Sequence, residues 1–203
     1  MKKVLLSLGL LAGLSGAAQA QSIKYGAKGG VSLTGFTGSD SKGTAYQFGF
    51  HVGGLVNFSI NDMFSVQPEI LYSQKGAKGD GTAGSPSDAH INLSYIDVPV
   101  LLHVATGETG LFFEAGPQIG FLLSANTEYQ GSSTDVKNAT NAVDFGYAAG
   151  IGFQSEVGLM GGLRYNGAFT STGKSTTVGN TTIQDNSKNS AFQLYVGYLF
   201  GGK

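Results

Sequence analysis

From residue 23 onward the chain alternates apolar and polar positions with a period of two, in eight segments separated by polar connections. The last segment is the cleanest. In SAFQLYVGYLF (190–200), Phe192, Leu194, Val196, Tyr198 and Phe200 share one side. Ala191, Gln193, Tyr195 and Gly197 share the other, with Leu199 the one apolar intruder. Such a period marks an extended strand with unlike faces. The same reading places strands at 23–35, 46–58, 63–75, 90–104, 110–124, 144–154 and 157–170. In 90–104 the apolar row changes parity near Tyr95 and Ile96, which predicts a β-bulge there.

The connections alternate in length. SIND (59–62), ATGETG (105–110) and SEV (155–157) are tight, whereas 36–45, 76–89, 125–143 and 171–189 are long and polar. Strict alternation is what an up-and-down barrel with short periplasmic turns and longer extracellular loops requires. The long connections are rich in Ser, Thr, Gly, Asn and Asp, which predicts solvated, mobile loops.

The open question is which face of the strands is inside. A soluble barrel of the lipocalin kind wets its outer face and needs charges there. Here the less apolar face is mostly Gly, Ala, Ser, Asn and Gln. Charged residues make up 12% of the chain, against about 25% in ordinary soluble domains. Glycine is 33 of 203 residues, roughly twice its average usage. Small uncharged side chains suit the crowded interior of a narrow barrel, and aromatic-rich rows suit an apolar band with aromatic girdles. The apolar face therefore points into lipid. The fold expected is an eight-stranded antiparallel up-and-down transmembrane β-barrel. Pro68, Pro99 and Pro117 complicate pairing in any reading, because proline donates no backbone hydrogen bond.

The N-terminus carries an address. Lys2 and Lys3 precede an apolar stretch from Val4 to Leu14, and Ala18-Gln19-Ala20 fits the small-x-small pattern before signal cleavage. The stretch is shorter than the about 20 residues a spanning helix needs. Residues 1–20 are read as a signal peptide and 21–203 as the barrel domain, with cleavage specified by Ala18 and Ala20 ahead of Gln21. Removing Lys2 and Lys3 leaves ten basic residues against thirteen acids, a net charge of −3. Arg164 is the single arginine, so no basic patch suggests nucleic acid. With no Cys and three scattered His, no metal site and no cofactor is expected.

Several stretches resemble one family. PEILYSQKGA (68–77), LSYIDVPVLL (93–102), FFEAGPQIGFLLSA (112–125), DFGYAAGIGFQ (144–154) and GGLRYN (161–166) follow the order and spacing of the PorT-like outer-membrane β-barrel proteins, the "porin family" of the Bacteroidota. The resemblance implies an eight-stranded barrel in the outer membrane of a Gram-negative bacterium and says little about activity. It implies outer-membrane lipid and the barrel-assembly machinery as partners, and envelope or secretion proteins as candidates. A monomer with both termini in the periplasm is expected.

Parity places His51, Glu69, Asp97, Glu114, Gln118 and Arg164 on the lumen side. Counted from the tight turns, three carboxylates surround one guanidinium at middle depth. Buried charges are tolerated only when paired and hydrogen-bonded. The cluster reads either as a structural polar core or as an ion-pair gate. With three acids to one base, one carboxyl is a candidate for protonation. Catalysis has weak support: His51, His90 and His103 lack a compelling Ser and acid, and the Gly-rich segments lack the Lys of a phosphate loop. No catalytic residue is assigned. The expected function is non-enzymatic, a structural or binding and adhesion role through the loops. A narrow porin or gated conduit and a lipid-modifying enzyme are the alternatives.

Overall fold

The computed structural model describes residues 22–82, 84–178, 181–183 and 185–201. The signal-peptide reading, with Ala18, Ala20 and Gln21, lies outside the described residues.

Eight long strands follow the alternating segments: β1 (Ile23–Thr37), β3 (Gln47–Ser59), β4 (Phe64–Gly79), β5 (His90–Ala105), β6 (Leu111–Tyr129), β8 (Val143–Gln154), β9 (Leu159–Ala168) and β12 (Lys188–Phe200). Short strands β2 (Thr44–Ala45) and β7 (Ser132–Asp135) extend the wall at β4 and β6. Strands β10 (Thr176–Val178) and β11 (Thr181–Ile183) form a separate hairpin. The antiparallel order β4-β3-β1-β12-β9-β8-β6-β5 closes through β4–β5. It is a closed eight-stranded barrel, and closure leaves none of the eight with a free edge in the apolar band.

The facing of the strands agrees with their parity. Phe192, Leu194, Val196, Tyr198 and Phe200 are exposed outside, while Gln193, Tyr195 and Leu199 are buried inside. Leu199, the apolar intruder, packs in the lumen with Leu55, Phe112, Met160 and Tyr195. Around the outside, towards the long-loop end, Tyr46, Phe192, Tyr165, Tyr147 and Phe169 form a chain of ring contacts with centroids 4.9–6.4 Å apart. Such a belt is how a barrel marks the boundary of its apolar band.

The expected bulge is displaced. β5 keeps one inward row throughout, Leu93, Tyr95, Asp97, Pro99, Leu101 and His103. The register shift opposite Ser94 and Tyr95 inserts the extra residue, Leu123, into β6. The inward row of β5 carries large apolar side chains, so hydrophobicity alone imitated a change of parity. The prolines also have their effect. The β4–β5 ladder lapses between the pairs Pro68–Val100 and Leu71–Asp97. The β5–β6 ladder lapses between Pro99–Gln118 and Leu102–Ala115.

Among the described residues the long connections are tied to one another at several points. The amide of Asp80 donates to the Gly43 carbonyl at 3.0 Å, and the Ser85 hydroxyl donates to the same oxygen. The amide of Asn186 donates to Asp40 at 2.9 Å. Asn141 donates to the Ser171 and Gly173 carbonyls at 2.8 and 3.0 Å. Asp185 accepts from the amides of Gly173 at 2.6 Å and Ser187 at 3.1 Å. These bonds tie 38–45 to 80–85 and to 186, and 137–142 to 171–174.

Candidate functional site: the filled lumen and its mouths

The inward rows meet in two charged layers between two apolar ones. In the deeper charged layer Glu69 (β4), Lys28 (β1), Arg164 (β9) and Glu114 (β6) come from every second strand of the ring. Arg164 therefore faces Glu69 across the full lumen. Its guanidinium donates to both Glu69 oxygens at 2.8 and 2.9 Å and to both Glu114 oxygens at 2.6 and 2.9 Å. Bidentate guanidinium–carboxylate pairs are the strongest and most directional of charge-assisted bonds. Lys28 Nζ donates to Glu69 at 3.2 and 3.3 Å and lies 3.7 Å from the Tyr195 ring centre. Tyr195 Oη donates to Glu114 at 3.2 Å, and Gln67 donates to Glu69 at 2.8 Å.

Asp97 lies outside this group. It pairs with Lys75 at 2.9 Å in a second layer nearer the long loops, where Lys75 also lies 3.5 Å from Asp144. Asn189 donates to Asp144 at 3.0 Å and to Tyr95 at 3.3 Å. The expectation of three acids around one base is thereby overturned. Lys28 gives the deeper layer two cations for its two carboxylates, and Lys75 stands between Asp97 and Asp144 in the second. Both lysines stand in inward rows; Lys28 was legible by parity, opposite Tyr25 and Ala27. Lys75 stood at the expected end of its strand, which in fact continues to Gly79.

Glycine makes room for these charges. A Cβ on Gly120 would lie 2.6 Å from Asp97 Oδ1, and one on Gly150 would lie 2.9 Å from Glu114 Oε1. Above the charged layers, Leu93, Tyr95, Leu122 and Ala125 form the second apolar cluster. Gln118, as expected, is buried inside, beside Lys75, Asp144, Asn166 and Asn189. The void among them is about 10 Å³, room for no more than a single water. The lumen is a packed core, as an eight-stranded barrel permits.

The histidines separate. His51 Nδ1 lies 2.9 Å from the Ser32 hydroxyl with no carboxylate bonded behind it among the described residues. His90 contacts Gln47 at 3.1 Å at the loop end. His103 has the more suggestive setting, since register puts Ser65 beside it on β4 and Glu114 beside it on β6. Its Nε2 lies 3.0 Å from Glu114, close enough for an ion pair but without a hydrogen bond's alignment. The Ser65 hydroxyl accepts a bond from Asn57 at 3.0 Å and makes none with His103. A nucleophile needs its base within hydrogen-bond reach, so this row holds the residue types of a triad without its bonding.

Among solved structures, Neisserial surface protein A (NspA) aligns with a TM-score of 0.52 at 17% identity, covering 90% of this chain and 100% of that one. OprG from Pseudomonas aeruginosa aligns with a TM-score of 0.50 at 13% identity, covering 90% and 98%. At such identities the likeness is one of fold. No curated protein matches the sequence significantly. The family profile described as "outer membrane protein beta-barrel domain" matches residues 18–174. With most of its length inside that match and its strands closed into eight, the chain belongs to the outer membrane protein beta-barrel domain family and is an outer-membrane β-barrel protein.

Proposed function

We propose that this is a closed, non-enzymatic barrel that serves as a structural support or binds and adheres through its extracellular loops. The observation that carries this reading is the filled middle of the lumen: ion pairs across its diameter, apolar layers on both sides of them, and room for no more than about 10 Å³ beside Gln118. We read this side-chain plug as closing the lumen to water and ions, and the cross-tied long loops are then the differentiated surface. The absence of a Ser65–His103 bond argues in the same direction against hydrolysis. The lipid-facing band makes outer-membrane lipid a partner, and assembly machinery is needed for insertion. The order of the five motif stretches further supports kinship with the PorT-like proteins of the Bacteroidota. The tight turns and both ends of the barrel's chain lie on one side, which favours periplasmic termini after cleavage ahead of Gln21.

The test is conductance of the refolded mature chain in a planar bilayer, beside Arg164→Ala. Silence from both supports a plugged barrel. Discrete wild-type openings that Arg164→Ala alters would make the charged layer a gate and install the porin reading. The chain has no cysteine, so single-cysteine variants test orientation directly. Ser133→Cys should react with an impermeant maleimide on intact cells, and Glu156→Cys should not. The reverse pattern would invert the barrel.

A further inference from the structure

The mouth at the tight-turn end opens into a cavity of about 410 Å³, within the range of small-molecule sites. Neither the plug nor the loop surface uses it. Its floor is the His103 ring stacked on Phe112, with centroids 4.7 Å apart and planes 17° from parallel. Its wall runs from β1 through β3, β4, β5 and β6 to the end of β8. Most of the wall's polar side chains are neutral amides and hydroxyls, among them Ser22, Asn57, Ser59, Asn61, Ser65 and Gln154.

Some of these groups are spent inside the protein. Asn57 donates to Ser65 and to Gln67, and accepts from Ser59. Asn61 Oδ1 accepts the amides of Met63 and Phe64 at 3.0 and 2.7 Å, which fixes the turn and leaves its Nδ2 free to donate. The Ser65 hydroxyl accepts from Asn57 and retains its proton. Gln154 and Ser22 make no side-chain hydrogen bond among the described residues, so each offers a donor and an acceptor. Lys24 and Asp62 line the same mouth with opposite charge.

This composition selects a ligand class. An anion site concentrates cations, and here one lysine is offset by one aspartate. An apolar ligand would leave the amides and hydroxyls it covers without partners, which disfavours it. A polyhydroxylated neutral molecule answers mixed donors and acceptors with its own, and its C–H face can rest on a ring. We propose that the tight-turn mouth is a binding site for a neutral saccharide, either free or the end of a glycan chain. Asn61, Gln154, Ser22 and Ser65 hold its hydroxyls above the His103–Phe112 floor.

The experiment is an NMR titration of the labelled mature protein in lipid nanodiscs with maltose, chitobiose and, as an anionic comparator, sodium acetate. Saturable shifts with a sugar, confined to Ser22, 57–65, His103, Phe112 and Gln154, with Kd of about 1 mM or tighter, support the site. Gln154→Leu should weaken that binding about tenfold. Asn61→Asp, which keeps the turn's acceptor and removes the Nδ2 donor, should weaken it with the fold intact. A glycan-end binder responds to an oligosaccharide more strongly than to the disaccharide, and a free-sugar site does not. Saturation by acetate and not by sugar overturns the proposal in favour of an anion site. Sugar shifts confined to the long loops, or none that saturate, overturn it as well. None of these outcomes depends on whether the lumen conducts.

Discussion

Removing the Arg164 side chain is the sharpest test of the charged layer. Arg164→Ala deletes four hydrogen bonds of 2.6–2.9 Å to two buried carboxylates at once. Glu69 would keep Lys28 at 3.2 Å and Gln67 at 2.8 Å. Glu114 would keep Tyr195 at 3.2 Å and the His103 contact at 3.0 Å. One carboxylate thus loses its only bidentate partner and the other its stronger one, in a space without bulk water. Breaking a buried pair by removing one member costs about 3–5 kcal/mol, largely the penalty of leaving the other charge uncompensated. The partners that remain place this case at the lower end, near 3 kcal/mol. The assay is reversible urea unfolding in lipid vesicles, followed by circular dichroism and by the mobility of unheated samples in SDS electrophoresis; the chain has no tryptophan. Removing the stranded charge as well, in Arg164→Met with Glu114→Gln, should recover more than about 1 kcal/mol, because contacting groups are not additive. A loss below about 1 kcal/mol for Arg164→Ala, or no recovery in the double variant, would refute the view that this layer holds opposite walls of the barrel together.

Other perturbations test other parts of the argument. Leu194→Arg puts a charge on the outward face of β12, where Leu194 is 54% exposed; it should cost about 2–4 kcal/mol of folding into a bilayer if that depth is near the midplane, and a neutral effect would contradict the lipid-facing assignment. Gly120→Val drives a branched side chain against Asp97, since even a Cβ would sit 2.6 Å from its Oδ1; urea unfolding should show a loss of about 1–3 kcal/mol, and an unchanged midpoint would mean the second charged layer is loosely packed. Asp185→Ala removes the acceptor of the Gly173 and Ser187 amides; limited proteolysis should then cut 171–187 several-fold faster while the barrel's heat-modifiable mobility is retained, and equal rates would mean the loop ties contribute nothing to order.

The features legible in the amino-acid pattern were periodic and local. Alternation located all eight wall strands, because a side-chain period of two is a property of the extended backbone and needs no partner. Leu194 facing out and Gln193 facing in were legible for the same reason. The scarcity of charge on either face argued for lipid outside, and the alternation of tight and long connections argued for an up-and-down order. Parity placed His51, Glu69, Asp97, Glu114, Gln118 and Arg164 inside, and all six are buried.

Closure of the barrel settled which side chains meet. Glu69 and Arg164 are 95 residues apart and on opposite sides of the ring. Their contact depends on closure and on the stagger between strands, neither of which a single strand's pattern contains. The same holds for Asp97, which parity sets inside with the others but whose depth assigns it to Lys75. On β5, inward Leu93, Tyr95 and Leu101 belong to a lumen that is part apolar, so hydrophobicity no longer reports the face, and the bulge was placed on the wrong strand. The tight-turn cavity was invisible for a related reason. It is built from one or two residues of each of six strands, each ordinary alone, and brought to one rim when the sheet closes on itself.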